Sequence, residues 1–181
     1  MKKILLIQFC LLLILSAKAQ DQKTADDPME LTSQLEQIEK YGVPTIETVN
    51  KMKIKADGLY DALKWQEAID AYELYAKNVN WLSNLLAQGL EPYYSASYDD
   101  RKKASYKVLK PMIPIETKVN ECRQERDIAY VKIGLCYKNL GDVKNAVAYL
   151  HKSLDLLSIN NIAYWTIAKD ALMEIIGFKS E

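Results

Sequence analysis

The sequence predicts an all-α protein, a stack of helix hairpins that bury their apolar faces only against one another. Apolar residues recur every three or four positions along most of the chain, which is the period of an amphipathic helix. Signals for strands are missing from the sequence, since no Asn-Gly or Asp-Gly turn separates two alternating segments, and Asp57-Gly58 lies within a helical stripe. Tyr130 and Tyr164 lie 34 residues apart at the same point of two helical patterns, which indicates a repeated helical unit.

The first residues are typical of a targeting segment. Two lysines precede a short apolar run over 4–15, and Ala17-Lys18-Ala19 supplies small residues around a cleavage position. We expect a signal peptide over 1–19 and a periplasmic or secreted mature chain. The apolar run is shorter than the ~20 residues that span a bilayer, so no integral membrane segment is expected after cleavage; an uncleaved anchor is the alternative.

The charge balance limits the classes of partner. The chain has 24 basic and 24 acidic residues, and the predicted leader contains three lysines and no acid, which leaves the mature chain at −3. A mildly acidic chain carries no electrostatic footprint for nucleic acid. It also lacks a general polybasic attraction to anionic lipid.

Cys122 and Cys136 are the cysteines of the predicted mature chain. An exported protein can form disulfides, but these two residues lie within one predicted helix. At 1.5 Å per residue they are roughly 20 Å apart, which a disulfide cannot bridge. We interpret them as small buried hydrophobic residues, and a bridge is the alternative.

Residues 20–27 are polar and predict a flexible lead-in. Asp27 then suits an N-cap and Pro28 a first helical position, which predicts a helix over 28–41 that ends at Gly42 and Pro44. Thr45 caps the next helix, whose apolar stripe runs from Ile46 through Ala56 to Leu63.

The stretch from Ala129 to Leu157 contains two amphipathic segments on either side of Gly141-Asp142. Its pattern resembles a tetratricopeptide repeat, a helix–turn–helix unit of 34 residues. The residues that carry the resemblance are Tyr130, Ile133, Gly134, Tyr137, Ala146, Leu150, Ser153 and Leu154. In that resemblance Gly134 allows the next helix to approach closely, and Ala146 is the small residue where the second helix crosses the first.

A second unit of the same family is recognised when Ala68 is aligned with Ala146. Ala56 then takes the position of Gly134, and Leu63 replaces the turn glycine. The resemblance therefore implies an α-solenoid of antiparallel hairpins over 28–177, in an exported bacterial member of the family. Its repeats span about 49–82 and 127–160.

Ten residues beyond two repeat lengths separate the two crossing alanines, so a divergent helical insert is predicted over 83–126. Ser97 and Asp100 suit a capping box for one helix that ends near Lys110. Pro111 and Pro114 mark a corner, after which a long helix runs into the late repeat. A C-terminal capping helix is predicted at about 161–176.

The resemblance also implies the activity, which is the binding of another polypeptide in a groove lined by the first helices of the repeats. The candidate partner-binding residues are Asn50, Lys53, Asp57, Tyr60 and Asp61 in the early repeat, Ile128, Lys132, Leu135 and Asn139 in the late repeat, and Trp165 and Lys169 in the capping helix. An ordinary solvated helix face is the alternative for the polar members. A clamp for a terminal carboxylate is disfavoured, because Asp57 stands where that clamp needs asparagine.

Patterns for catalysis, cofactors and metals are missing from the sequence. His151 is the single histidine, next to the inward Leu150, and suits a solvated surface position. The six glycines are spread singly, so no phosphate loop is predicted. We therefore predict a non-enzymatic adaptor or scaffold without cofactor, and an enzyme or glycan-binding accessory is the weakest alternative.

Tyrosine is unusually frequent, with 12 residues. Tyr93, Tyr94 and Tyr98 cluster at the insert, where they suit either corner packing or a recognition patch. The patch would fit a second function, a structural subunit of an envelope assembly or a secretion or uptake accessory protein, in which the chain could also self-associate.

Overall fold

A computed structural model describes residues 35–36 and 38–178 of the chain. The predicted signal peptide 1–19, the lead-in 20–27 and the beginning of the predicted helix 28–41 lie outside the described residues. Residues 35–36 and 38–41 are helical and belong to a first unit that ends at Val43. Gly42, with a φ of 73°, follows this helical stretch directly, at the predicted end of the helix.

The second unit begins at Pro44, and its described residues form helices and turns without a strand, so the all-α prediction is confirmed for them. Its helices are α1 (Ile46–Asp61), α2 (Trp65–Gln88), α3 (Tyr98–Lys103), α4 (Tyr106–Leu109), α5 (Ile113–Asn139), α6 (Val143–Leu156) and α7 (Ile162–Ile175), and a 3-10 turn (Ile159–Asn161) precedes α7. Thr45 caps α1 as predicted, because its hydroxyl accepts from the Thr48 backbone N–H at 3.1 Å.

Two turns of this unit are local copies of each other, 78 residues apart. In the first, Lys64 N–H donates to Leu59 O at 3.0 Å, and in the second Asp142 N–H donates to Tyr137 O at 3.0 Å. Leu63 has a φ of 58°, and its counterpart Gly141 has a φ of 78°. Leucine thus adopts the left-handed conformation that glycine tolerates far better. The backbone conformations of the two turns therefore match at the positions that the alignment of Ala68 with Ala146 pairs.

The contact between α5 and α6 depends on a glycine. A Cβ added at Gly134 would lie 2.8 Å from Leu150 Cγ and 3.2 Å from the Leu150 backbone nitrogen. Ala146 of α6 is fully buried, and so is Ala68 of α2. The prediction that Gly134 permits a close helix approach is confirmed, since no larger residue fits between the two helices as they stand.

The long helix α5 contributes to both hydrophobic cores of the unit. Its residues Ile133 and Cys136 are fully buried in a first cluster, which also holds Val49 of α1 and Tyr72 of α2. Val131, on another side of α5, is buried in a second cluster with residues of α6 and α7. Because α5 packs against α2, α6 and α7, it is the helix that the two clusters share.

The insert differs from the prediction at one point. Ser97 accepts from the Asp100 backbone N–H at 3.2 Å, as a cap should. The single helix predicted to run from there to Lys110 is wrong, since Ala104, with a ψ of 134°, breaks it into α3 and α4. Neither short helix buries a residue, and a helix without a buried apolar face gains too little from its own hydrogen bonds to stay continuous.

Candidate binding groove

Three of the residues predicted to bind a partner meet between α1 and α5. One oxygen of the Asp57 carboxylate, Oδ1, accepts from Lys132 Nζ at 2.5 Å and from the Tyr72 hydroxyl at 2.5 Å. Lys132 Nζ also lies 5.4 Å from the centre of the Tyr60 ring and 5.3 Å from that of Tyr72. We call these four residues the Asp57 network. It links α1, the first helix of the early predicted repeat, to α5, which contains the first helix of the late one.

Burial and hydrogen bonding act on Asp57 in opposite directions. Burial raises the pKa of its carboxyl group, and the hydrogen bonds from Lys132 and Tyr72 lower it by more, so the pKa lies below its usual value of 3.8. Burial, followed by the hydrogen bond to Asp57, raises the pKa of the Tyr72 hydroxyl well above its usual range. Asp57 is therefore anionic and Tyr72 neutral at physiological pH, which keeps the network intact.

A second ion pair lies one helical turn earlier on α1. Lys53 Nζ is 2.6 Å from Glu125 Oε2, which also accepts from the Tyr75 hydroxyl at 3.0 Å. Glu125 and Tyr75 were not among the predicted binding residues. A pattern in the sequence could have indicated Glu125, because it precedes Lys132 by seven residues, two turns along one face of α5. The charges of Glu125 and Lys132 are then opposite to those of Lys53 and Asp57, which are four residues apart on α1.

A pocket of about 110 Å³ opens beside the Lys53–Glu125 pair, between α1, α2 and α5. We call it the α1 pocket. Its apolar wall consists of Ile46, Val49, Val79 and Leu82, and its polar rim includes Asn50, Lys53, Tyr75, Lys118, Glu121 and Glu125. Since one water takes up about 30 Å³ in the liquid, the pocket has room for several waters or for one small apolar side chain.

The remaining predicted residues of α1 and α5 are less concentrated. Asn50 lines the α1 pocket and is exposed, and Asp61 is exposed at the end of α1. Ile128 and Leu135 are half-buried against the second hydrophobic cluster. Asn139 is exposed, and its side-chain amide donates to the Leu135 carbonyl oxygen at 2.8 Å.

The two predicted residues of α7 lie with that second cluster. Trp165 is half-buried and packs against it. Lys169 Nζ is 5.7 Å from the centre of the Trp165 ring and 3.5 Å from Asp170 Oδ1. The structure thus brings Lys53, Asp57, Tyr60 and Lys132 together, whereas Ile128, Leu135 and Trp165 have a packing role of their own.

The cysteines and the histidine show ordinary surroundings. Cys122 and Cys136 are buried free thiols, and burial raises the pKa of Cys136 to about 11. His151 lies on the surface with its Nδ1 at 3.2 Å from Asp155 Oδ2. Within residues 35–36 and 38–178, His, Cys, Asp and Glu side chains form no group of three that could hold a metal ion.

The tyrosines of the insert divide between packing and exposure. Tyr94 is half-buried, and the Arg123 guanidinium donates to its hydroxyl and lies 5.4 Å from the centre of its ring. Tyr93 is likewise half-buried beneath Arg101. Tyr98, in contrast, is 73% exposed, so the three residues do not form one buried corner.

In comparisons with known proteins, no family model, curated protein or solved structure matches the chain. In the part of the chain that the structure describes, every helix is too short or too polar to cross a lipid bilayer.

Proposed function

We propose that the protein is an exported, non-enzymatic interaction module that binds a segment of a partner polypeptide on the surface shared by α1 and α5. The proposal includes a solenoid of tetratricopeptide-like hairpins. Its main support is the pair of matching turns 78 residues apart, in which Leu63 and Gly141 share a left-handed conformation. Repeated hairpins of this kind stack into curved surfaces that bind polypeptides.

The α1 pocket indicates how a segment would be held. The charged groups on its rim already pair with each other, since Lys53 contacts Glu125 at 2.6 Å and Lys118 contacts Glu121 at 2.9 Å. A partner gains little by replacing these pairs. It gains more by placing an apolar side chain against Val49 and its apolar neighbours, because removal of apolar surface from water is the main source of affinity.

Peptide selection tests this proposal. Peptides are selected from a random library on the purified protein, and their affinities are measured by fluorescence anisotropy for wild type and for Asn50→Trp. Asn50 is exposed and lines the pocket, so a large ring there obstructs the pocket without replacing a core residue. We expect the selected peptides to share an apolar residue and to bind the variant at least about tenfold more weakly, the loss of ~1.4 kcal/mol.

Asn160→Trp is the matched control, since Asn160 is exposed in the 3-10 turn before α7. Its affinity should equal that of wild type. The proposal is wrong if no peptide is selected, or if the selected peptides bind Asn50→Trp as tightly as wild type and Asn160→Trp.

A second function, a structural subunit of an envelope assembly, has its own support in the insert. Tyr98 and Tyr106 are 73% and 68% exposed, and Val108 and Ile113 are about half exposed. Exposed aromatic and aliphatic residues close in sequence favour association with another surface. Sedimentation analysis of wild type and of a Tyr98→Ser/Tyr106→Ser variant separates the two functions, because only the assembly subunit should self-associate through these side chains.

A further inference from the structure

A larger pocket, of about 350 Å³, opens on a different surface, where α2, α5 and α6 meet. We call it the Tyr130 pocket. Its lining includes Glu73, Lys77 and Asn80 of α2, Tyr130 of α5, and Tyr149 and Lys152 of α6. None of these residues lines the α1 pocket, and none belongs to the predicted partner-binding residues.

We propose that the Tyr130 pocket binds a small organic anion, a carboxylate or a phosphate ester, whose body carries a hydroxyl or amino group. The volume supports a small molecule, since ligand pockets measure about 300–1,000 Å³. The floor is aromatic: Tyr130 and Tyr149 are half-buried, with ring centres 6.0 Å apart. An aromatic floor with a few polar groups at its edge is the usual composition of such a site.

The positive charge at the pocket comes from two lysines. Lys77 and Lys152 are exposed and form no ion pair with an acid of the described chain. Lys152 Nζ lies 4.2 Å from the centre of the Tyr130 ring, which holds the ammonium over the pocket floor. The neighbouring Arg126 adds no free charge, because it pairs with the buried Asp127 at 2.8 Å.

Arg126 nevertheless orients a neutral donor toward the ligand. Its Nη1 donates to Asn80 Oδ1 at 2.6 Å. A guanidinium can only donate, so this contact fixes which end of the Asn80 amide is the oxygen. The Nδ2 group of Asn80 is then available to donate to an anion, together with the two ammonium groups of Lys77 and Lys152.

The wall formed by Glu73 suits the body of the ligand. The Tyr149 hydroxyl donates to Glu73 Oε1 at 2.7 Å, which holds the carboxylate in place. The second carboxylate oxygen of Glu73, Oε2, can accept from a hydroxyl or an amine of the ligand. With two lysines and one glutamate around it, the pocket keeps an excess of positive charge, as an anionic ligand requires.

Three related sugars test the proposal with the purified protein. Binding of glucose 6-phosphate, glucuronate and neutral glucose is measured by isothermal titration calorimetry at constant ionic strength. We expect at least one of the two anions to bind saturably and glucose to bind much more weakly. The stronger of the two anions then indicates whether the natural ligand carries a phosphate or a carboxylate.

Variants locate the binding site. Lys77→Gln/Lys152→Gln should weaken binding of the anion at least about tenfold, because hydrogen bonds to charged groups are among the stronger polar contacts. Lys55→Gln/Lys64→Gln removes two exposed lysines from α1 and its turn, with the same change in net charge, and should leave binding unchanged. Asn80→Asp keeps the oxygen that Arg126 contacts but replaces the donor by a carboxylate oxygen, so it should also weaken binding.

Three outcomes would overturn the proposal. The first is the absence of saturable binding for both anions. The second is equal affinity for glucose and the anions. The third is equal loss of binding in the Lys77/Lys152 and Lys55/Lys64 variants, which would indicate non-specific attraction. Circular dichroism of each variant separates loss of binding from loss of fold, and Asn80→Asp keeps the test decisive if the double variant unfolds.

Discussion

Replacement of Gly134 by alanine should destabilise the contact between α5 and α6. The added Cβ would lie 2.8 Å from Leu150 Cγ, 2.9 Å from Leu150 Cδ2 and 3.2 Å from the Leu150 backbone nitrogen. Leu150 is fully buried, and a change of its rotamer cannot move its own backbone nitrogen. Overpacking of a core costs about 1–3 kcal/mol, and a rigid backbone neighbour favours the upper part of that range.

Helix propensity acts in the opposite direction. Alanine is favoured over glycine inside a helix by ~1 kcal/mol, so the expected net loss for Gly134→Ala is about 1–2 kcal/mol in the free energy of unfolding. Gly58 is the matched control, because it is an exposed glycine inside α1 with nothing within 4 Å of an added Cβ. Gly58→Ala should stabilise the protein by about 0.5–1 kcal/mol.

Urea unfolding followed by circular dichroism measures both variants under the same conditions. A third measurement isolates the cause: in a Leu150→Ala background most of the steric conflict is absent, so Gly134→Ala should cost less there than in wild type. The reasoning would be refuted if Gly134→Ala were as stable as wild type. Equal effects at Gly134 and Gly58 would refute it too.

Four further predictions concern one or two residues each. Asp57→Asn should lose less stability in acid than wild type does. The folded-state pKa of Asp57 lies below 3.8 because its hydrogen bonds outweigh burial. The contribution of Asp57 to stability is therefore present above that pH and is lost as the pH falls through the lowered pKa. Cys122 and Cys136 should react with a thiol reagent only after denaturation, and reductant should not change the unfolding curve, since both are buried and free. Trp165→Ala should cost about 2 kcal/mol in urea unfolding, less than a fully buried tryptophan, because it packs half-buried on the second cluster. Leu63→Gly should raise stability by about 0.5 kcal/mol, as relief of the left-handed conformation exceeds the added entropy of the unfolded chain.

Most of the helical architecture could be predicted from the sequence because it depends on local patterns. Thr45 before an apolar stripe fixes the start of α1, and Pro114 marks the start of α5. The alignment of Ala68 with Ala146 also places Leu63 opposite the turn glycine Gly141, and the two residues share a left-handed conformation. The break at Ala104 was not predicted, since the sequence pattern does not show that neither α3 nor α4 buries a residue.

The candidate site could be predicted only in part, because side-chain pairing depends on tertiary contacts. The resemblance to a tetratricopeptide repeat implies that Asp57 and Lys132 face the same surface, but not that they contact each other at 2.5 Å. Leu135 and Trp165 are predicted to line the groove, and no sequence pattern reveals the second cluster against which they pack. The Tyr130 pocket was missed for the same reason, as three helices distant in sequence contribute its lining.

The pairing of charges changes what binding at the α1–α5 surface would require. A ligand that took Lys132 away from Asp57 would leave a half-buried carboxylate without its partner, and an unpaired charge of this kind is strongly unfavourable. Lys53 and Glu125 are more exposed, so separating that pair costs less, although a ligand still gains little from it. A ligand that leaves both pairs in place and inserts an apolar side chain beside them avoids this loss. Selection at this surface should therefore depend on the shape of the α1 pocket, and affinity there should change little with salt, whereas affinity at the Tyr130 pocket should fall steeply as salt increases.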